Sequence, residues 1–255
     1  DLTTLKDIIG NNPEALAAAI AAPVGVETIR VYPVANFGSQ MAPMYTILAL
    51  WVGSVLMAVS IRSDVSDDNV ADGLAEDDPL RATLTASPIR LPAGYLGRYL
   101  IFGTIALAQA TLLGLGDLYF LKVQHVHPLE FMGTLWLTAV VFSFLLYTLI
   151  ATFGNAGKAL GVLLLVLQIS GAGGAFPLAI LPPFFSSVSP FLPATHAITA
   201  LRASIAGYSG HEYGDAMRFL ASFILFAAFL GLALRPLLVR GNRRMVAKLE
   251  STKLL

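Results

Sequence analysis

Long stretches without a charged residue are the feature of this sequence that most restricts its fold. Residues 41–61 read MAPMYTILALWVGSVLMAVSI and residues 131–151 read FMGTLWLTAVVFSFLLYTLIA, without Asp, Glu, Lys or Arg. About 18 such residues are enough for a helix that crosses a bilayer. Only 13% of the residues are charged, against about 25% in soluble domains. The sequence therefore predicts an integral membrane protein.

Five stretches have the length and composition of membrane spans. Backbone polar groups in the bilayer must be satisfied within a helix or a closed barrel, and the alternating pattern of barrel strands is absent from these stretches. We therefore predict an all-α polytopic membrane protein with five transmembrane helices. The predicted spans are about 41–61, 99–121, 131–151, 159–177 and 219–239.

The fourth predicted span continues into an apolar segment that is rich in helix breakers. Residues 170–193, SGAGGAFPLAILPPFFSSVSPFLP, contain three glycines and five prolines but no charged residue. An interrupted helix is tolerated at membrane depth only where protein or a wet cavity satisfies the freed backbone groups. We predict that 178–212 is an outer re-entrant helical hairpin, which enters the membrane shallowly and returns without crossing.

The distribution of Lys and Arg predicts the orientation in a bacterial plasma membrane. If the C-terminus is cytoplasmic, eleven of the 16 basic residues lie in inner segments, as the positive-inside rule favours. Residues 1–40 are then extracellular and 241–255 form a cytoplasmic tail. Because 1–40 are too few to bury a core and need an upstream element to export them, we interpret them as the membrane-proximal end of a truncated extracellular domain.

The cytoplasmic loop 62–98 has two interpretations. Seven acidic residues lie between Asp64 and Asp78, a composition that favours a solvated, flexible linker. Alternatively, its second half, ATLTASPIRLPAGYLGRY, lies along the inner membrane surface and transmits motion to a partner.

Motifs for catalysis are weak. The segment TFGNAGKAL (152–160) lacks the first glycine and the final Ser or Thr of a phosphate loop. His125, His127 and Glu130 form a conceivable metal site, but two histidines without further ligands favour an ordinary surface loop. We therefore predict that the chain is not an enzyme and that it has no cofactor, metal site or nucleic-acid partner.

Three polar residues lie within predicted spans. Asp117 is close to the outer end of its span, and a carboxylate there is a candidate functional group. Its favoured interpretation is interfacial, with Lys122 or Arg218 as partner; the alternative is that it lines a polar path. Gln109 and Gln168 lie deeper, where hydrogen bonds across helices are expected.

Two blocks of the sequence carry a family resemblance. They are VYPVANFGSQMAPMYTILALWVGSVLMAV (31–59) and LIATFGNAGKALGVLLLVLQISGAGGAFPLAILPPFFSSVSPFLPATHAITALRASIAG (149–207). The chain resembles the YhgE/Pip (phage infection protein) family from about residue 20 to 240. The C-terminal membrane region of that family is similar to the permeases of type-2 ABC exporters. The resemblance implies a permease-like transmembrane domain, 41–240, whose penultimate helix breaks near the outer face.

The resemblance also implies which residues form the break and the hairpin. The two re-entrant elements would be 178–188 and 191–207, with the last span starting near Phe219. Together with the polar residues within the spans, the candidate pathway or gate residues are Asp117, Gln109, Gln168, Gly171, Gly173, Gly174, Pro177, Pro182 and Pro183.

The function that the resemblance implies is transport of an amphiphile or cell-envelope component across the plasma membrane. The permease would be a homodimer in the lipid bilayer and would work with a separate ATPase subunit. Small residues of the first span (Ala49, Gly53, Ala58) could bring the two copies close together. The alternative is a non-transport envelope scaffold, such as a phage receptor or a type VII secretion accessory protein, with cell-envelope or secretion proteins as partners.

Overall fold

A computed structural model describes residues 32–61 and 91–234 of the chain. In these ranges the chain forms helices joined by short connections, and the helices belong to one compact unit. In chain order they are α1 (Phe37–Ser60), α2 (Leu91–Leu115), α3 (Pro128–Phe153), α4 (Asn155–Gly171), α5 (Pro183–Val188), α6 (Pro193–Ala206) and α7 (Glu212–Phe229). One π-helical turn extends α2 over Gly116–Phe120 and another extends α7 over Leu230–Leu234, while 3-10 turns cover Leu178–Ile180 and Ser189–Phe191.

Four of these helices are long and apolar enough to cross a bilayer. They are Phe37–Ser60, Ala93–Phe120, Pro128–Phe153 and Glu212–Ala233, with mean hydropathies between 1.6 and 2.0. Each contains most of a span that the sequence predicts. The prediction of an all-α polytopic membrane protein is thereby confirmed.

Several predicted segments lie mostly outside the described residues. The segment 1–40 is described only from residue 32, the loop 62–98 only from residue 91, and the tail 241–255 not at all. Residues 91–98, assigned to the loop by the sequence, already belong to α2 and run without interruption into its apolar part.

Helix α3 forms the centre of the bundle. It packs against α1, α2, α4, α6 and α7, and 72% of its apolar window is buried, against 28% for α2 and 22% for α7. Its buried hydroxyls bond to carbonyls of their own helix, as Thr138 does with Thr134 at 2.7 Å and Thr148 with Phe144 at 2.6 Å. Because these polar groups are satisfied locally, most of α3 can be buried without polar partners on each neighbour.

Helix α4 is shorter than the span predicted at 159–177. Its 17 residues extend about 25 Å, somewhat less than the roughly 30 Å of a hydrocarbon core. It ends at Gly171, since Gly173 adopts a positive φ of 67° that an α-helix cannot contain. Gly157 lets α4 approach α3 closely, because a Cβ at this position would overlap the backbone of Leu149 and Ile150 in α3. Small residues of this kind allow the close helix approach that is common in membranes.

The segment after the break returns into the bundle. Both predicted re-entrant elements are helical, as the 3-10 turn with α5 and as α6. Helix α6 is an interior element, packed against α1, α3 and α7, with Ala197, Ala200 and Leu201 fully buried. Helix α5 is peripheral, and its Phe184 is 58% exposed.

Helix α7 begins at Glu212, seven residues before the start predicted at Phe219. Its first turn carries Glu212 and Asp215, which favour a helix N-terminus because of the partial positive charge there. Asp215 also forms an ion pair with Arg218 one turn later. The charged first turns therefore extend the helix beyond the apolar stretch that marks the span.

Candidate functional site at the broken helix

The three glycines at the end of α4 have different environments. Gly173 adopts a left-handed backbone conformation. A Cβ at Gly171 would lie 3.0 Å from the Leu192 side chain, and one at Gly174 would lie 2.9 Å from Met44 and 3.1 Å from Ile198. Gly171 and Gly174 therefore lie close to side chains of neighbouring segments, with little room for a side chain at either position.

An arginine of α6 satisfies a carbonyl that the break leaves free. The Arg202 guanidinium donates to the Gly174 oxygen at 2.8 Å. Carbonyls beyond the end of a helix need an external partner when water is scarce. Arg202 was not among the predicted site residues, although it is the only charged residue in the segment PATHAITALRASIA. That isolated charge is the sequence signal that could have identified it.

Gln168 joins α4 to α6. Its Oε1 accepts the backbone N–H of Ala194 at 3.1 Å, and its side chain is buried. The first N–H groups of a helix have no partner within that helix, so Gln168 acts as a remote cap for α6. This bond and the Arg202 bond fasten the segment on both sides of the break.

The predicted prolines begin the short helices that follow the break. Pro177 precedes the turn Leu178–Ile180, Pro182 precedes α5, and Pro183 is its first residue. Proline suits a first helical position because its missing N–H would have no partner there. Its fixed φ also turns the chain between successive short helices.

Asp117 is a buried carboxylate in the π-helical turn after α2. It is only 4% exposed, and its Oδ2 accepts the Thr46 hydroxyl of α1 at 2.7 Å. Arg218, which the interfacial interpretation considered as a partner, is paired with Asp215. Asp117 is thus a helix–helix contact inside the bundle, and a π-helical turn is a frequent setting for functional residues.

Gln109 also bonds to α1. Its Nε2 donates to the Ala49 carbonyl at 3.2 Å, and its amide covers Gly53, where a Cβ would overlap it. Two of the small residues that the sequence suggested for a dimer contact therefore pack against α2 of the same chain. The third, Ala58, is 2% exposed. Ala58 is therefore buried within one chain, whereas Ala49 and Gly53 are only partly buried.

The family model described as ABC-2 family transporter protein matches residues 2–235. The chain belongs to the ABC-2 family. This confirms the permease-type membrane protein that the sequence resemblance indicated.

A curated relative supports the same assignment. The ABC-2 chain is 26% identical over 186 residues to the protein YhgE of Bacillus subtilis (strain 168). The match covers 73% of this chain and 22% of that protein, so the chain spans about a fifth of its relative's length. No solved structure matches the chain significantly.

The candidate residues of this ABC-2 chain do not converge on one pocket. Asp117, Gln109 and Gln168 belong to different contacts, with Thr46, Ala49 and Ala194 respectively. The glycines, the prolines and Gln168 form one group around the break, and Asp117 and Gln109 form separate contacts between α2 and α1.

The residues considered as metal ligands take other partners. Nδ1 of His125 lies 2.8 Å from the Val123 carbonyl, and Oε1 of Glu130 accepts the Tyr208 hydroxyl at 3.0 Å. That hydrogen bond, together with desolvation and the negative charge of Glu130, raises the pKa of Tyr208. Among the described residues, no three side chains of the metal-binding types come together. The hydrogen bond between Glu130 and Tyr208 therefore links the start of α3 to the loop before α7.

Proposed function

We propose that the chain is the membrane-spanning part of a homodimeric exporter that moves an amphiphile or cell-envelope component outward. The observation that carries the proposal is the break after α4, whose chain is turned back and fastened inside the bundle by Gln168 and Arg202. A segment held in this way can close a pathway from one side and open it when α4 and α6 separate. Membership of the ABC-2 transporter family supports the same function.

The energy for transport would come from a separate ATPase subunit. The segment 152–160 lacks the residues of a phosphate loop, and ABC-2 permeases work with ATPase partners. Within the described residues, the ends of α3 and α4 meet at Gly154, and the predicted orientation puts this turn on the inner side. We propose this turn as part of the surface that meets the ATPase, together with the loop 62–98 that the sequence predicts on the same side.

The homodimer is part of the proposal, and Ala58 is too deeply buried within one chain to contribute to its contact. Helices α2 and α7, with only 28% and 22% of their apolar windows buried, offer apolar surface that lipid or a second copy would cover. The plasma membrane and an extracellular N-terminal segment complete the proposed arrangement.

Reconstitution tests transport directly. The natural protein is purified from its native membrane, and co-purifying ATPase subunits are identified by mass spectrometry. Proteoliposomes with both components should hydrolyse ATP and lose labelled envelope lipid from one leaflet, and Arg202→Gln should reduce this movement. Stable isolation without an ATPase partner, and no ATP-dependent movement, would contradict the exporter.

An envelope scaffold is the second candidate. The observation that favours it is that YhgE is much longer than the matched part, so that the membrane domain could serve to anchor the remainder. A scaffold shows no ATP-dependent lipid movement with or without Arg202→Gln, whereas an exporter shows movement that Arg202→Gln reduces while its partners stay bound. The same variant therefore separates the two functions, including roles such as phage receptor or type VII secretion accessory protein.

A further inference from the structure

A buried amide donor in the bundle has no partner among the described residues. Gln168 is 5% exposed, and its Oε1 is engaged by the Ala194 N–H. This bond fixes the orientation of the amide, since the opposite orientation would set two donors against each other. The Nε2 atom is buried without a hydrogen-bond acceptor. A group of this kind favours any acceptor that can reach it.

Gln168 lines a small cavity with apolar walls. The cavity has a volume of about 20 Å³, and Met44, Trp51, Phe142 and Ile198 are among its walls. The indole N–H of Trp51 already donates to the Gly161 carbonyl at 3.2 Å. An ordered water needs two to four polar partners, and this cavity offers it little beyond the Gln168 amide. An acceptor attached to an apolar chain suits the cavity better.

The cavity borders the lipid-facing side of the bundle. Ile169, next to Gln168 and also in the wall, is 40% exposed, and Leu48 of α1 is half-buried. Both belong to apolar helices, so a group from the bilayer can approach between α1 and α4. The cavity exceeds the roughly 10–15 Å³ that a water-sized group requires, which leaves room for a carbonyl. The attached chain can remain outside, along Leu48 and Ile169.

We propose that the groove between α1 and α4 binds an acyl-ester lipid, whose ester carbonyl accepts a hydrogen bond from Gln168 Nε2. Esters are the acceptors that a bilayer supplies directly on acyl chains. Gln168 lies three residues before the end of α4, about 5 Å along the axis, which places it towards one boundary of the hydrocarbon region rather than at its centre. The site does not depend on transport, and it is present in a single chain.

The two tryptophans make this site measurable. Trp51 lines the cavity, whereas Trp136 is 44% exposed, so Trp136→Phe leaves Trp51 as the only indole. This variant is reconstituted in non-brominated ether-linked phosphatidylcholine. It is then titrated with phosphatidylcholine brominated on acyl carbons near the ester, or with the brominated ether analogue, which lacks the carbonyl. We expect the ester lipid to quench Trp51 at a concentration about two- to tenfold lower, the ratio that one net hydrogen bond produces.

Two variants assign the ratio to Gln168. Gln168→Met keeps the length of the side chain but has no donor, so the ester and ether lipids should quench equally. Gln109→Met is the matched control, because it removes an amide of α2 that does not line the cavity and bonds to the Ala49 carbonyl. This variant should keep the difference between ester and ether lipids. Equal quenching by the two lipids before any change at Gln168 would overturn the hydrogen bond, as would a ratio that survives Gln168→Met.

A variant at the entrance decides the matter if Gln168→Met does not fold. Ile169→Phe enlarges an exposed side chain at the groove and leaves Gln168 in place. It should weaken quenching by the ester lipid. Unchanged quenching in this variant, or no quenching of Trp51 by either lipid, would overturn the site.

Discussion

At the scale of single residues, backbone conformation and close contact govern the break after α4. Gly173 is needed for its positive φ, whereas Gly174 is needed because Met44 and Ile198 leave no space for a side chain. Arg202 then satisfies the Gly174 carbonyl. A substitution at Gly173 should therefore destabilise the fold through backbone strain, and one at Gly174 through steric overlap.

We predict that Gly174→Ala destabilises the bundle by about 1–3 kcal/mol, the usual cost of inserting a methyl group into a packed site. Gly97→Ala is the matched control, because no atom lies within 4 Å of the place that its methyl group would take on the exposed side of α2. The control should be neutral or slightly stabilising, since alanine favours a helix. Thermal unfolding in mild detergent measures both, and equal midpoints for the two variants would refute the close contact.

We predict that Thr46→Val lowers the stability by about 1–3 kcal/mol, because it leaves the buried Asp117 carboxyl group without its donor. Asp117→Asn retains an acceptor for Thr46 and should cost less. Thr104→Val is the control: its hydroxyl is exposed and bonds only to the Leu100 carbonyl of its own helix at 2.8 Å. Unfolding midpoints that rank Thr104→Val as the more damaging change would contradict a structural role of the Thr46–Asp117 pair.

At the scale of helices, the two helices that follow the break have opposite environments. Helix α6 lies in the interior and α5 at the periphery, although both follow from the same Gly/Pro-rich stretch. The difference comes from side-chain size: α6 presents alanines to α1, α3 and α7, whereas α5 carries adjacent phenylalanines. A re-entrant hairpin formed by these helices has both ends on one side of the membrane.

We predict that Ser187→Cys on α5 and Ser209→Cys before α7 both react with an impermeant maleimide added to intact cells. Asn155→Cys, in the exposed turn between α3 and α4, should react only after the membrane is opened. The chain contains no cysteine, so each label reports one position. If Ser187→Cys were labelled only from the inside and Ser209→Cys from the outside, the segment between them would cross the membrane, and the re-entrant hairpin would be wrong.

At the scale of the whole molecule, burial is uneven among the spans. Most of the apolar window of α3 is buried, whereas only 28% of that of α2 and 22% of that of α7 are buried. In a membrane, such surface does not by itself drive association, because lipid tails are as apolar as the side chains. A contact between two copies therefore depends on close packing and interhelical hydrogen bonds rather than on hydrophobicity.

We predict a dimeric mass for the natural protein in nanodiscs, determined by light scattering or native mass spectrometry. Ala58→Cys should not cross-link two copies, since this side chain is buried within one chain. A monomeric mass in nanodiscs and in mild detergent would contradict the homodimer, and efficient cross-linking at Ala58 would contradict the packing of α1 within the bundle.

The sequence by itself determined the membrane class and the approximate position of the long spans, because uncharged runs have no stable alternative to helices in a bilayer. It also located the break, since glycine and proline act through local backbone geometry. Only the tertiary structure decided which helix is central, that Gln109 covers Gly53, that Ala58 is buried, and that Arg202 and Gln168 fasten the break. Those contacts join residues that are 26 or more positions apart. Local patterns carry no information about such pairs, because distant helices can pack in many ways that satisfy the same apolar composition.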